Sequence, residues 1–258
     1  MKYSIFLKSL LFNRHERKEG GFLQTNRSLE VSIVMPCLNE AATVGTCVEK
    51  ALKAMETLGL HGEVIVVDNG STDASAENAQ ARGARVVFEP RRGVGYACRK
   101  GFEEARGHIM VMGDADGTYD FSELEKLILP LKNGTDFVIG TRLNGTMFPG
   151  SMSWVRLYCG NWIGSALLSL LVRKRISDSQ SGFRAFRRSS FENISFESKG
   201  MELCTEMIVS ACRKGLRILE VPISYFPRIG GRSKFNMFND SILILGTILL
   251  SVFYRNSK

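Results

Sequence analysis

HIMVMGDADGTYD, residues 108–120, runs an apolar segment straight into two carboxylates, Asp114 and Asp116. In an extended chain residues i and i+2 project to the same face, so both acids point the same way. Like charges that close repel unless a cation sits between them. Gly113 and Gly117 flank the pair and leave the backbone open to a ligand. Hard carboxylate oxygens suit Mg2+ or Mn2+, and Mg2+ takes one or two carboxylates and fills its shell with water and phosphate oxygens. The stretch therefore predicts a buried strand that ends either in two solvated turn carboxylates or, as the flanking glycines favour, in a divalent-metal site at Asp114 and Asp116 able to bridge to a diphosphate.

The segments on either side decide what kind of sheet that strand belongs to. VSIVMP (31–36) is a short apolar run, and residues 40–58 carry Ala42, Val44, Val48, Ala51, Leu52 and Met55 at helical spacing. EVIVVD (63–68) reads as a second strand closed by the turn residues NGSTD. A helix over 74–82, a strand ARVVFE (84–89) and a glycine-opened helix over 93–106 follow. Beyond the acid pair, SELE from Ser122 has the form of a capping box before a helix to Lys132, and DFVIGT (136–141) is a fifth strand. Strands alternating with helices predict an α/β, Rossmann-like fold with a mostly parallel central sheet and helices on both faces. Ligands of such sheets bind beyond the carboxyl ends of the strands, where MPCLNE, VDNGSTD and GDADGTYD all fall. After residue 141 the pattern loosens. An apolar helix over 154–172, the basic RKR at 173–175, the segment ISDSQSGFRAFRR, a helix over 201–214, a strand RILEVPISYF and a basic glycine-rich stretch PRIGGRSK follow.

Composition sets the limits. The 258 residues are 44% hydrophobic and 23% charged, values of a globular chain with a real core. The net charge of +8 favours anionic partners such as phosphorylated molecules or an acidic membrane surface. A nucleic-acid partner is not expected, because no recognised binding motif accompanies the charge. Cys37, Cys47, Cys98, Cys159, Cys204 and Cys212 form no CxxC pair and read as reduced thiols. MKYSIFLKSLLF at the start is either a short amphipathic helix on a membrane or a frayed end, and NRHERKEGG reads as a solvated linker. SILILGTILLSVF (241–253) is 13 uncharged residues, short of the roughly 20 that span a bilayer, and its apolarity points to membrane contact.

The ordered set VSIVMPCLNE, VIVVDNGSTD, RRGVGYACRKGF, MGDADGTYD, VIGTR and DSQSGFRAFRR resembles the family 2 glycosyltransferases of GT-A fold, and within them the polyprenyl- (dolichyl-) phosphate sugar transferases. The resemblance covers residues 30–235. It implies an N-terminal segment at 1–29, a GT-A domain at 30–235, and a C-terminal apolar helix at 236–258 that contacts the membrane. It also implies an inverting enzyme that moves a sugar from a UDP- or GDP-sugar to a polyprenyl phosphate at the cytoplasmic face of the cell membrane, assisted by Mg2+ or Mn2+. By position, Pro36, Asn39 and Glu40 resemble the first nucleotide loop, and Asp68 and Asn69 the pair that reads the base. Asn69 departs from the usual acid there. Asp114 and Asp116 match the metal and diphosphate motif, with Thr118 where some relatives carry a Gln. Arg142 and Arg156 resemble arginines that face the acceptor phosphate. Arg228, Ser233 and Lys234 resemble a basic loop over the donor diphosphate.

The acceptor decides what else is needed. A phosphate monoester, with a second pKa of about 6, is already ionised at neutral pH and needs no general base, whereas a sugar hydroxyl does. Asp178 is either that base, a group that orients the substrate, or a structural partner of Arg184. Glu206 is a candidate for sugar contact. The alternative reading keeps the fold and transfers to a saccharide or other hydroxyl acceptor, with Asp178 as base. The sequence leaves the oligomeric state open.

Overall fold

The computed structural model describes residues 29–153, 161–229 and 242–248. Its strands are β1 (Val31–Cys37), β2 (Gly62–Asp68), β3 (Arg85–Phe88), β4 (Ile109–Met112), β5 (Phe137–Met147), β6 (Arg184–Arg187) and β7 (Ile218–Tyr225). They form one sheet in the order β3-β2-β1-β4-β6-β5-β7. The first four are parallel neighbours, and β5 pairs parallel with β7. Between these halves lies β6, antiparallel to both β4 and β5.

The helices are α1 (Val44–Thr57), α2 (Ser75–Ala81), α3 (Val94–Glu104), α4 (Leu124–Lys132), α5 (Ile163–Val172), α6 (Arg188–Phe191) and α7 (Leu203–Arg213). Strand side chains alternate between two cores, as a period of two requires. Ile33, Met35, Val64, Val66, Val111 and Val138 face α1 and α4. Val34, Ile65, Val67, Met110, Met112 and Ile139 face α3 and α7. Each fully buried aliphatic side chain contributes about 1.5–3 kcal/mol. The sheet is thus covered on both faces, as the apolar runs of β1, β2 and β4 predict.

Two local expectations change. The capping box at Ser122 does not form. Asp120 accepts from the Ser122 N–H at 3.2 Å and starts a single 3-10 turn, Phe121–Glu123, from which α4 continues. The segment around SGFRAFRR contains strand β6, which its four residues, two of them the arginines 184 and 187, do not announce. Arg184 is fully buried there, and its guanidinium donates to the carbonyls of Ser179, Ser181 and Cys204 at 2.5–2.6 Å.

Of the C-terminal apolar run, residues 242–248 are helical. Ile244 and Ile248 join the second core alongside Leu168 of α5. Trp162, Ile163, Leu170, Ile242, Leu243 and Leu245 stay exposed. Among the described residues no helix is long and apolar enough to cross a membrane. Residues 1–28, Arg156, Ser233 and Lys234, and the rest of the C-terminal run lie outside the described residues.

Candidate active site

Because β1 sits between β2 and β4, the loops that leave these three strands share one edge of the sheet. They are stitched together by side chains. Asn39, held at φ 58°, accepts from the Thr72 N–H at 2.7 Å, and its own N–H donates to Ser71 Oγ at 3.0 Å. The Glu40 N–H donates to Ser75 Oγ at 2.8 Å. Asp68 accepts from the Ser71 N–H at 2.9 Å and so tightens the NGSTD turn. Pro36 is the residue of β1 paired with Val67. Thr43 Oγ1 donates to the Ala115 carbonyl at 2.8 Å and ties the first helix to the acid loop.

The cation against the acid pair in this structure is an arginine. Arg228 Nη1 donates to Asp116 Oδ2 at 2.6 Å, and its Nη2 bonds to Glu40. The other Asp116 oxygen accepts from the N–H and hydroxyl of Thr118 at 3.0 and 2.6 Å. Thr118 therefore anchors Asp116. Burial, and next the charge of Asp116, push the Asp114 carboxyl up to about 7. Among the described residues no group of three or more His, Cys, Asp and Glu could hold a metal ion. An oxygen-only pair of carboxylates nevertheless fits a hard divalent ion that draws its remaining ligands from a diphosphate and water.

Asn69 is committed to the protein. Its amide N–H groups donate to the carbonyls of Glu89 and Arg91 at 2.9 and 2.8 Å, and its oxygen accepts from the Gly93 N–H at 2.8 Å. It shapes the loop that leads into α3, where an acid would face two carbonyl oxygens.

Arg142 and Asp178 form a buried fork. Arg142 Nε and Nη2 donate to the two oxygens of Asp178 at 2.8 and 2.7 Å, and the Arg142 N–H adds a third bond at 3.0 Å. Asn161 Nδ2 donates to the same carboxylate at 2.8 Å. The Arg142 guanidinium lies 5.1 Å from the centre of the Tyr225 ring. Burial alone would raise the pKa of Asp178, but the Arg142 charge and these donors outweigh it and hold the carboxyl below its usual range. Arg184 goes to carbonyls, so the Asp178–Arg184 pairing left open by the sequence is not formed. The Glu206 carboxylate accepts the N–H groups of Glu197 and Ser198 at 2.8 and 3.0 Å.

One residue of this region went unread in the sequence. Tyr119 is buried, stacks on Phe183, and accepts from the Gly182 N–H at 2.7 Å. It joins the acid loop to the SGFR segment, and its place directly behind GDADGT was the available signal.

Fold and site together define an α/β protein of GT-A type, with carboxylates and arginines gathered at the carboxyl edge of the parallel half-sheet. The chain belongs to glycosyl transferase family 2, whose pattern matches residues 32–195. It is 42% identical over 201 residues to the low-salt glycan biosynthesis hexosyltransferase Agl6 of Haloferax volcanii, a match that covers 78% of this chain and 48% of that protein. The chain thus spans about half the length of that relative. Glycosyltransferase AglJ of the same organism is 35% identical over 229 residues, with 88% and 72% covered. The dolichol-phosphate mannosyltransferase of Pyrococcus furiosus is 28% identical over 212 residues, with 80% and 59% covered. The solved glucosyl-3-phosphoglycerate synthase of Mycobacterium tuberculosis, in complex with Mn2+, UDP and phosphoglyceric acid, superposes with a TM-score of 0.68 at 25% identity, over 87% of this chain and 78% of that one.

Proposed function

We propose that the protein is an inverting glycosyltransferase that moves a hexosyl group from a nucleoside diphosphate sugar to a polyprenyl or dolichyl phosphate at the cytoplasmic face of a membrane. The observation that carries the acceptor is the Arg142–Asp178 fork. Its carboxylate is buried, bonded by four donors and held in its ionised form, which makes it a poor base and a good clamp on Arg142. An acceptor that arrives already ionised needs a fixed arginine and no base.

In this reading Pro36, Asn39, Glu40 and Asp68 line the nucleotide pocket, and Asn69 positions its wall. Asp114 and Asp116 hold Mg2+ or Mn2+, which when bound offsets the charge that builds on the leaving diphosphate. Arg228, with Ser233 and Lys234 of the same basic stretch, adds charge over that diphosphate. Arg228 then turns from Asp116 to the donor, since both are anions competing for one guanidinium. Arg142 and Arg156 orient the acceptor phosphate. One of its oxygens attacks the anomeric carbon, the bond from that carbon to the β-phosphate oxygen breaks, and the electron pair leaves with the nucleoside diphosphate. The exposed apolar side chains of α5 and of residues 242–248, beside Arg173 and Arg175, support contact with an acidic lipid surface.

A second reading keeps the donor chemistry and takes a soluble acceptor. It is favoured by the structural neighbour whose complex holds phosphoglyceric acid. Purified protein, Mn2+ or Mg2+ and a panel of radiolabelled UDP- and GDP-sugars, with and without polyprenyl phosphate, separates the two. Label that moves into the organic phase, and is lost on chelation and in Asp116→Ala, supports the lipid acceptor. Label that appears only on a water-soluble acceptor overturns it.

A further inference from the structure

Helix α5 is built inside out. A helix on the surface of a globular protein buries its apolar face and exposes its polar one. Here Trp162 and Leu170 are 62% and 74% exposed, whereas Asn161 and Ser165 are only 4% and 3% exposed. Of the ten residues of α5, Ser165 and Leu168 alone are buried. Asn161, just ahead of the Trp162 cap, recurs with Ser165 and Ser169 at every fourth residue, so the three share one face. An apolar face would hold the helix to the core as well, so stability does not account for this polar stripe.

The stripe meets one short loop. Asn161 Nδ2 donates to Asp178 Oδ1 at 2.8 Å. Ser165 Oγ accepts from the Ser179 N–H at 2.9 Å and lies 3.0 Å from Ser179 Oγ. Ser169 Oγ accepts from the Ile176 N–H at 2.9 Å. The two amides between, of Ser177 and Asp178, donate to Glu220 of β7 at 2.9 and 3.0 Å. Four successive N–H groups, at residues 176–179, therefore end on side chains, the outer two on α5 and the inner two on β7. Asp178, within this grip, holds the Arg142 guanidinium. A fully satisfied buried polar network rigidifies what it joins.

We propose that Asn161, Ser165 and Ser169 are positioning residues for acceptor binding: they fix the Asp178 loop, and through it Arg142, to the helix whose outer face rests on an anionic lipid surface. The inference rests on the lipid-acceptor reading above and deepens it, because it ties membrane contact to the arginine that orients the acceptor phosphate. Arg173 and Arg175, exposed at the end of α5, supply the charge that draws this face to anionic lipid. The apolar outer face and the polar inner stripe belong to the same turns, so a surface that holds the one steadies the other.

The test has two readouts on the purified full chain. Hydrogen exchange is followed at the Ile176 and Ser179 amides, with and without vesicles of phosphatidylcholine and phosphatidylglycerol. The vesicles are expected to slow exchange at both amides by about tenfold in the unmodified protein, and not in Trp162→Glu with Leu170→Glu. Kinetics with polyprenyl phosphate in the same vesicles give the second readout. Asn161→Ala raises the KM for the acceptor by about tenfold and leaves kcat and the affinity for UDP- and GDP-sugars unchanged. Ser165→Ala, a smaller change, gives the same split. Leu168→Ala loosens the packing of the same helix but keeps the stripe, so it lowers the melting temperature without that rise in KM. Vesicle-bound protein whose Ile176 and Ser179 amides exchange at the unbound rate overturns the proposal. So does an acceptor KM that both stripe variants leave unchanged, or that Leu168→Ala raises equally, since the stripe is then packing alone. Unmodified protein that fails to sediment with the vesicles, or transfers no sugar to polyprenyl phosphate, overturns the lipid-acceptor reading itself, an outcome distinct from the other failures.

Discussion

Asn69, Asp178 and Asp114 each test the site through one atom or charge. Asn69→Asp removes both donors to the Glu89 and Arg91 carbonyls and sets a carboxylate against them. A buried group left unsatisfied costs about 1–3 kcal/mol, so the melting temperature falls by several degrees in a calorimetric scan. Asp178→Asn leaves the Arg142 charge buried without its counter-ion. Breaking such a pair costs about 3–5 kcal/mol, and activity falls together with stability. A variant that keeps its melting temperature but loses turnover and the acidic limb of its pH–rate profile would mark Asp178 as the base. For Asp114 the sign is different. Its folded pKa of about 7 lies above the unfolded 3.8, so its contribution to stability is fully present below about pH 4 and lost as the pH rises through 7. A divalent ion favours the ionised carboxylate, so Mn2+ affinity of the purified protein rises from pH 5.5 to about 7 and then levels. Affinity independent of pH would remove Asp114 from the metal site.

At the scale of elements, the site depends on a few backbones in close approach. The amino end of α3 begins at RRGVGY, and its glycines meet the segment ahead of α7. The Gly95 N–H donates to the Lys199 carbonyl at 2.9 Å, and a Cβ on Gly95 would collide with the Ser198 carbonyl. Four successive N–H groups of that segment, at residues 197–200, go to the carboxylates of Glu202, which immediately precedes α7, and Glu206 in its first turn. Asn69 holds the other side of the junction through Gly93. Gly95→Ala pushes the segment away and destabilises the chain, as overpacking of backbone by about 1–3 kcal/mol does. Hydrogen exchange at residues 197–200 speeds up in this variant. Unchanged exchange there would show that α3 does not brace the segment.

For the whole molecule, the proposed membrane contact has a geometric basis. α5 and residues 242–248 send Leu168, Ile244 and Ile248 into one core and leave Trp162, Leu170 and Leu243 facing outward. Trp162→Glu with Leu170→Glu removes apolar contact area without touching the acid pair. Co-sedimentation with vesicles containing anionic lipid is expected to be lost, while nucleotide binding stays. Retained sedimentation would place the contact on other parts of the chain.

The sequence alone carried the parallel half-sheet, because β1, β2 and β4 are buried on both faces and so read as unbroken apolar runs ending in polar turns. It also carried the acid pair and the loops beside it, since turn chemistry is local and leaves glycine, asparagine and aspartate at set places. It did not carry β6, whose strand character comes from its antiparallel pairing with β4 and β5 rather than from its own four residues. Nor did it reveal that Arg228 reaches Asp116 and Glu40, or that Arg142 clamps Asp178. Those pairings join residues distant in the chain, and a charge does not encode its partner. Only the folded sheet, which brings the loop ends within hydrogen-bond reach, decides which opposite charges meet.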